Sequence, residues 1–187
     1  MLSILLPAHK EKNIDVLVSE IERILPTEQI IIASDRAGKG KGWAVREAFH
    51  HAEGDRIAFL DSDGDIEPRM LLRLIPFLDD FDVVVGSKHI WSAPLHRKVI
   101  THLSRLYMRV FFGIDFDTQT GIKLFRREAI QGWRLDGFMF DLEILIKAKK
   151  RGMRIVEVPI EAEIKSSMSW RIVCRTFWES LCLWFRS

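Results

Sequence analysis

Asp61, Asp63 and Asp65 stand at alternating positions just after the apolar run Ile57-Ala58-Phe59-Leu60, with Ser62 and Gly64 between them. Three carboxylates so close together repel one another in water. Their chemistry is that of a hard-cation site: oxygen ligands suit Mg²⁺ or Mn²⁺, and a cation held there would in turn hold a phosphate. Strand geometry sends successive side chains to opposite faces, so Asp61 and Asp63 point together only if the strand ends here and the chain turns, which Gly64 permits. The same residues also read as an acidic surface turn near the helix that starts at Pro68, because aspartates hydrogen-bond to nearby backbone. A calcium-binding EF-hand is the weaker reading, since an apolar strand rather than a helix leads in.

The elements that must position this cluster follow from periodicity. Leu2–Leu6 reads as a buried strand ended by Pro7. Ile14, Leu17, Val18, Ile21 and Leu25 recur at helical spacing behind Asn13, a candidate N-cap. Gln29–Ala33 is a second β-rich run, and the basic loop Gly38-Lys39-Gly40-Lys41-Gly42 precedes a helix from about Trp43 to Ala52. Ile57–Leu60 is the next strand, Met70–Leu78 a helix with Pro68 near its first turn, and Asp82–Val85 another buried strand. Strands alternating with helices predict a parallel α/β sheet whose ligand site lies beyond the carboxyl ends of the strands. The loops Pro7–Glu11, Ser34–Gly42 and Asp61–Asp65 all leave such ends, and their convergence favours the metal reading over the turn. The glycine loop is neither a Walker motif nor a Rossmann fingerprint. It fits a solvated turn as well as an anion site at a helix start.

The second half is more basic and aromatic. Pro94 to Phe112 reads as an amphipathic helix, with Leu95, Val99, Leu103, Leu106 and Val110 in one stripe and His96, Arg97, Lys98, Arg105 and Arg109 supplying charge. Thr118–Arg126 is extended around Gly121. Asp141-Leu142-Glu143 opens a helix to about Lys150, where acids suit the helix dipole. Met153–Val158 and Ile160–Ile164 are β-like and break at Pro159. Residues 168–187 form a last amphipathic segment, with Trp170, Val173, Phe177, Leu181 and Trp184 at helical spacing among arginines. That stripe suits either interior packing or a helix lying in a membrane interface.

Composition bounds these readings. The 187 residues suit one domain, residues 1–187, with 48% hydrophobic and 29% charged residues in the ordinary globular range. A net charge of +2, with the basic residues on amphipathic helices, argues against a nucleic-acid partner. The two cysteines, Cys174 and Cys182, lack metal-ligand spacing and suit a reducing compartment. The N-terminal residues lack the features of a signal peptide, and no run approaches the length of a transmembrane helix.

Taken in order, the motifs resemble family 2 glycosyltransferases of the GT-A fold, nearest the dolichyl-phosphate mannose synthase branch and its bacterial polyprenyl-phosphate relatives. ILLPAHKEKNI (Ile4–Ile14) resembles the opening strand-Pro-x-x-Asn-Glu motif, and Gly38–Asp65 resembles the block running from GKG to FLDAD. DVVVGSK (Asp82–Lys88) resembles D.V.GSR, and TGIKLFRR (Thr120–Arg127) resembles SGFRLFRR. Gly137–Glu143 followed by Ile155–Ile160 resembles GF.FD.E…EVPI.

The resemblance implies a mostly parallel, Rossmann-like α/β sheet flanked by helices, with amphipathic helices facing a membrane. It implies transfer of a mannose- or glucose-type hexose from a nucleotide-diphosphate sugar to a polyprenyl phosphate, with inversion and with Mg²⁺ or Mn²⁺. The protein would then sit peripherally on the cytoplasmic face. Asp61 and Asp63 occupy the family's DxD positions, and Asp65 stands where many relatives carry Gln; together they are the implied metal set. Pro7, His9, Glu11, Asp35, Lys41, Asp61 and Ser62 match positions toward the nucleotide sugar. Lys88, the pair Arg97 and Thr101, and Lys165 match positions toward the acceptor phosphate. A phosphate acceptor already carries an anionic oxygen, so attack needs no strong base. A sugar-hydroxyl acceptor needs one, with Asp141 the candidate and Glu143 in reserve. A non-catalytic nucleotide-sugar or membrane-binding relative is the third reading.

The sequence departs from the family pattern in several places. Ala33-Ser34-Asp35-Arg36 replaces Asp-Asp-Gly-Ser, and the helix and strand that follow in the family are missing. His9-Lys10 replaces an aromatic-Asn pair, and Lys88 replaces an Arg, forfeiting its bidentate grip on phosphate.

Overall fold

The structure, a computed structural model, describes residues 1–8, 14–35, 38–88, 95–118, 120–137, 139–162 and 178–180, with the side chains of 95–101 left out. In chain order the elements are β1 (Leu2–Ala8), α1 (Ile14–Ile24), β2 (Gln29–Ser34), α2 (Lys41–His50), β3 (Arg56–Leu60) and α3 (Met70–Leu74). They continue with β4 (Val83–Lys88), α4 (Leu95–Phe112), β5 (Ile122–Arg126), α5 (Phe140–Lys150) and β6 (Ile155–Ile160). The six strands form one sheet in the order β2-β1-β3-β5-β4-β6.

Both faces of this sheet are buried, which explains the nearly continuous apolar runs of its strands. Leu5, Phe59, Val83, Val85 and Phe125 point to one face and meet Val45 of α2 and Ile144 and Leu145 of α5. Ile4, Leu6, Ala58, Leu60, Val84 and Leu124 point to the other and meet Leu17 and Ile21 of α1 and Leu71 and Leu74 of α3. The alternation within each strand is the period-two rule at work.

The sheet is mixed rather than purely parallel. β5 runs antiparallel to both β3 and β4, while β1–β2, β1–β3 and β4–β6 are parallel. This reversal matters for the site, because β5 begins where β3 ends: Leu60 pairs with Ile122, and the Asp61 N–H donates to the Gly121 carbonyl at 2.8 Å.

Two prolines expected to end strands do not. Pro7 lies inside β1, paired with Ala33 of β2, beyond the last β1–β3 pair at Leu5–Phe59. Pro159 continues β6, opposite Ser87, and β6 is a sheet edge. Proline is tolerated wherever one side of the strand has no ladder to serve. Met70–Leu78 is α-helical only to Leu74 and then tightens into a 3₁₀ turn, Ile75–Asp79, around Pro76. β2 is the other sheet edge, and α2 begins soon after it, as the missing family segment requires.

Helix α4 leans on α5 through Met108, with Tyr107 and Phe112 beside it, against Leu142 and Ile146. The described part of its expected stripe faces outward: Leu103 is 58% exposed, Leu106 51% and Val110 68%. Arg105 anchors the helix to the sheet, donating to Glu157 of β6 at 2.9 Å and to Ser87 of β4 at 3.3 Å. Among the described residues no helix is long and apolar enough to cross a membrane.

The β3–β5 junction has no room for a side chain at residue 121. A Cβ on Gly121 would stand 2.6 Å from Asp61 Oδ2 and 2.8 Å from Asp61 Cβ. Gly121→Ala is expected to lower stability by about 1–2 kcal/mol through this overpacking, as denaturant titration against the wild type would show.

Candidate active site at the end of the third strand

The acidic cluster forms where β3 runs out. Gly64 takes a left-handed conformation (φ 77°), which turns the chain after Asp63. The Asp65 N–H donates to Asp63 Oδ1 at 3.1 Å, so the turn is closed by its own carboxylate. Ser62 Oγ donates to the Pro7 carbonyl at 2.6 Å and ties the end of β3 to the end of β1. The ends of β1 and β3 therefore meet, as their parallel pairing requires.

The glycine loop arrives from β2. Both oxygens of Asp35 are engaged in shaping it, accepting the Lys39 N–H at 2.9 Å and the Gly40 N–H at 2.7 Å. Gly40 sits at φ 118° with its α-carbon against the Asp136 carbonyl, a conformation and a proximity that exclude a side chain. The Gly42 N–H reaches the Asp136 and Gly137 carbonyls. Held from both sides, the loop presents Lys41, whose Nζ lies 2.6 Å from Asp61 Oδ1. Burial alone would lower the pKa of this ammonium. The carboxylates of Asp61, Asp141 and Asp63 outweigh it and hold the pKa above the usual lysine range.

Two further lysines complete the arrangement. Lys88, at the end of β4, lies 3.8 Å from Asp65 Oδ2. Lys123 in β5 is 2% exposed, and its ammonium donates to Asp141 Oδ2 at 2.7 Å and to the Thr120 carbonyl. Sequence reasoning passed over Lys123. Its signal was a lone lysine in the apolar strand Ile122–Phe125, on the Phe125 side, where a buried ammonium requires a partner. Four carboxylates (Asp61, Asp63, Asp65, Asp141) thus face three ammoniums (Lys41, Lys88, Lys123), and each ammonium pairs with a different carboxylate. Asp63 is the acid left over. Partial burial is the first cause that pushes its pKa up, and the neighbouring charges of Asp61 and Asp65 add to it. The Asp65 N–H and Lys88 oppose the shift.

This charge balance is the test for a divalent cation. Among the described residues no three carboxylate, imidazole or thiol side chains converge to hold an ion by themselves. Asp65 is buried beside Lys88, whereas Asp61 is half-buried and Asp63 exposed, so these two are the acids of the cluster that an ion could reach. One or two carboxylates completed by substrate phosphates are the ordinary setting for Mg²⁺, so the donors present fit such an ion.

The acids of α5 are both engaged. Asp141 Oδ1 accepts the Leu142 N–H at 2.8 Å while Oδ2 takes Lys123. Glu143 is buried; its Oε2 accepts the N–H groups of Arg134 and Leu135, each at 2.8 Å, and its Oε1 meets Lys147 at 2.7 Å. Glu143 is a structural clamp on that loop, which removes it as a reserve base. His9, Glu11 and Lys165 lie outside the described residues, as do the side chains of Arg97 and Thr101 on α4. Of the C-terminal segment only 178–180 are described, and they are helical. Glu179 accepts the Met139 N–H at 3.1 Å, and Ser180 Oγ lies 3.1 Å from Tyr107 Oη.

Two outcomes follow from these charges. Because the Asp63 pKa is raised on folding, the stability linked to its proton is full below the ordinary carboxylate range and is lost as pH rises through the shifted value. Without metal, Asp63→Asn is expected to raise Tm by about 1–2 °C at neutral pH and to leave it unchanged at low pH, which thermal melts across pH would check. Lys123→Met strands a half-buried Asp141 and is expected to cost about 3 kcal/mol. The double change Lys123→Met, Asp141→Asn recovers most of that loss in denaturant titrations.

Comparison with known proteins gives a consistent picture. The sequence profile of Glycosyl transferase family 2 matches residues 3–133. An undecaprenyl-phosphate mannosyltransferase of Micrococcus luteus is 32% identical over 149 residues, covering 72% of this chain and 59% of that protein. A dolichyl-phosphate beta-glucosyltransferase of Saccharomyces cerevisiae is 33% identical over 157 residues, covering 71% of this chain and 47% of its own. The chain thus spans about half to three-fifths of the length of these curated relatives. A crystal structure of glucosyl-3-phosphoglycerate synthase from Mycobacterium tuberculosis, in complex with Mn²⁺ and uridine diphosphate glucose, superposes with a TM-score of 0.76. The two are 18% identical, and the match covers 93% of this chain and 74% of that one. The shared architecture is the GT-A fold, and the profile match over residues 3–133 places the chain within Glycosyl transferase family 2.

Proposed function

We propose that the protein transfers a hexosyl group from a nucleoside diphosphate sugar to a polyprenyl phosphate at a membrane surface. The observation that carries this reading is the charge pattern at the end of β3: among the described residues no ammonium forms an ion pair with Asp63, and Lys88 borders the same cluster. One side of the site thus suits a cation-bound diphosphate, and the other suits an anionic acceptor. The phosphate acceptors named for the mannosyl- and glucosyltransferase relatives support the choice.

Asp61 and Asp63 would hold Mg²⁺ or Mn²⁺, which supplies positive charge to the departing diphosphate. Lys88, assisted by Arg97 and Thr101, would bind the acceptor phosphate and aim one of its oxygens at the anomeric carbon. That oxygen forms the new bond to C1 as the bond from C1 to the diphosphate breaks. The electron pair leaves with the nucleoside diphosphate, and the configuration inverts. No proton needs to be removed, because the acceptor oxygen arrives ionised. Asp141 suits this scheme, since both of its oxygens already accept hydrogen bonds and one is paired with Lys123. A hydroxyl acceptor would need Asp141 as a base in spite of that pairing. Pro7, Ser62 and the Asp35-anchored glycine loop border the side where the nucleotide would sit.

The outward stripe of α4 fits the lipid acceptor. Leu103, Leu106 and Val110 are exposed in one stripe, an apolar face that suits the interfacial region of a membrane, while Arg105 and Arg109 beside them pair with Glu157 and Asp115. Trp178 is also exposed and is placed on the same reading.

Incubation with Mn²⁺, polyprenyl phosphate in vesicles and either labelled UDP-glucose or GDP-mannose is expected to yield a labelled glycolipid. Asp63→Ala is expected to reduce the rate by about a hundred-fold or more, and Asp141→Asn by about ten-fold or less, as for a residue that is not the base. No glycolipid from either donor, together with no effect of Asp63→Ala on nucleotide binding, would sink the reading. Abolition of turnover by Asp141→Asn would shift it to a hydroxyl acceptor.

A further inference from the structure

The two oxygens of Asp61 are not equivalent. Oδ2 lies against Gly121, close enough that a single added carbon there would sit 2.6 Å away. Oδ1 is the oxygen open to the site, and Lys41 Nζ occupies it at 2.6 Å. A divalent ion that uses Asp61 must therefore meet an ammonium already in place. The backbone at Lys41 is pinned: Asp35 holds Lys39 and Gly40 on one side, and the Asp136 and Gly137 carbonyls hold Gly42 on the other. Its four-carbon stem has four rotatable bonds, and the ion pair is only partly shielded, with side-chain exposures of 29% and 30%.

We propose that Lys41 is a built-in competitor for the cation: it holds Asp61 while the donor is absent and passes to the donor's diphosphate oxygens when cation and nucleotide arrive together. This deepens the reading above and rests on it. A dication entering alone takes Asp61 Oδ1 and leaves the ammonium beside it without a partner, so like charges repel in a partly desolvated site. A dication entering with a nucleoside diphosphate brings phosphate oxygens that the ammonium can grip. Binding of metal and of nucleotide is then coupled through one side chain, and the coupling is reciprocal. The consequence is a site that binds metal weakly until the donor is present. Lys41 is a positioning residue in this scheme, acting on the charge of the site rather than on the transferred sugar.

The experiment measures Mn²⁺ affinity from the electron paramagnetic resonance signal of free Mn²⁺, in the wild type and in Lys41→Met, Lys41→Gln and Lys41→Arg, with and without UDP or GDP. Without nucleotide, Lys41→Met and Lys41→Gln are expected to bind Mn²⁺ about ten-fold more tightly than the wild type, the size suited to a partly shielded ion pair. With Mn²⁺ saturating, the same variants are expected to bind the nucleotide about ten-fold more weakly. Lys41→Arg, which keeps the charge, stays near the wild type in both. A purely structural role would weaken both affinities together, so the opposite signs are the signature. Lys41→Gln guards against misfolding of the apolar variant, and thermal melts report on both. Mn²⁺ binding that is equal in wild type and Lys41→Met, yet lost in Asp63→Asn, would overturn the competitor role and leave the metal site standing. No Mn²⁺ binding in any of these proteins, with or without nucleotide, would overturn the metal reading and the proposal with it.

Discussion

The site depends on placing four carboxylates close together without tearing the strand ends apart. Asp61, Asp63, Asp65 and Asp141 come from two distant parts of the chain, and their repulsion would open the sheet edge if nothing opposed it. Lys41, Lys88 and Lys123 oppose it one pair at a time, each from a different element. Among the described residues the pairing stops one charge short, at Asp63. A fold that neutralised every acid would have nothing to offer a cation. One that neutralised none would carry several uncompensated charges in a partly desolvated place.

The architecture makes this economy possible through one reversal. Parallel strands bring their carboxyl ends to a common edge, and the antiparallel β5 brings its amino end there too. Gly121 then lies against Asp61 at the start of β5, and Lys123, two residues on, reaches beneath the site to Asp141. The face-to-face alternation that buries Leu124 on one side and Phe125 on the other also carries Lys123 toward α5. A hydrophobic residue at 123 would pack acceptably but would leave Asp141 alone, so this buried charge is tied to the site rather than to the core.

Much of the molecule was legible before any coordinates. Apolar runs alternating with helical stripes located the strands and helices to within a few residues. The alternating aspartates pointed to cation chemistry, and the motif order pointed to the family. The limits were also physical. Pro7 and Pro159 read as strand breakers because local sequence does not reveal which side of a strand is without a ladder. Glu143 read as a reserve base because its bonds to Arg134 and Leu135 involve a loop whose approach is a tertiary matter. The outward stripe of α4 was visible as periodicity, but its second apolar face around Met108, which packs on α5, was not.

The sequence by itself determined the class of sheet, the place of the acids at a strand end and the kinship of the chain. These follow from local periodicity and from short motifs whose residues are neighbours along the chain. Only the tertiary structure decided the roles within the site: which lysine meets which aspartate, that Asp35 shapes the glycine loop, and that among the described residues Asp63 is the acid of the cluster outside an ion pair. Those outcomes depend on contacts spanning many residues, such as Lys41 with Asp61 and Lys123 with Asp141. Electrostatic energy depends on distance and burial, and neither is written in the order of the residues.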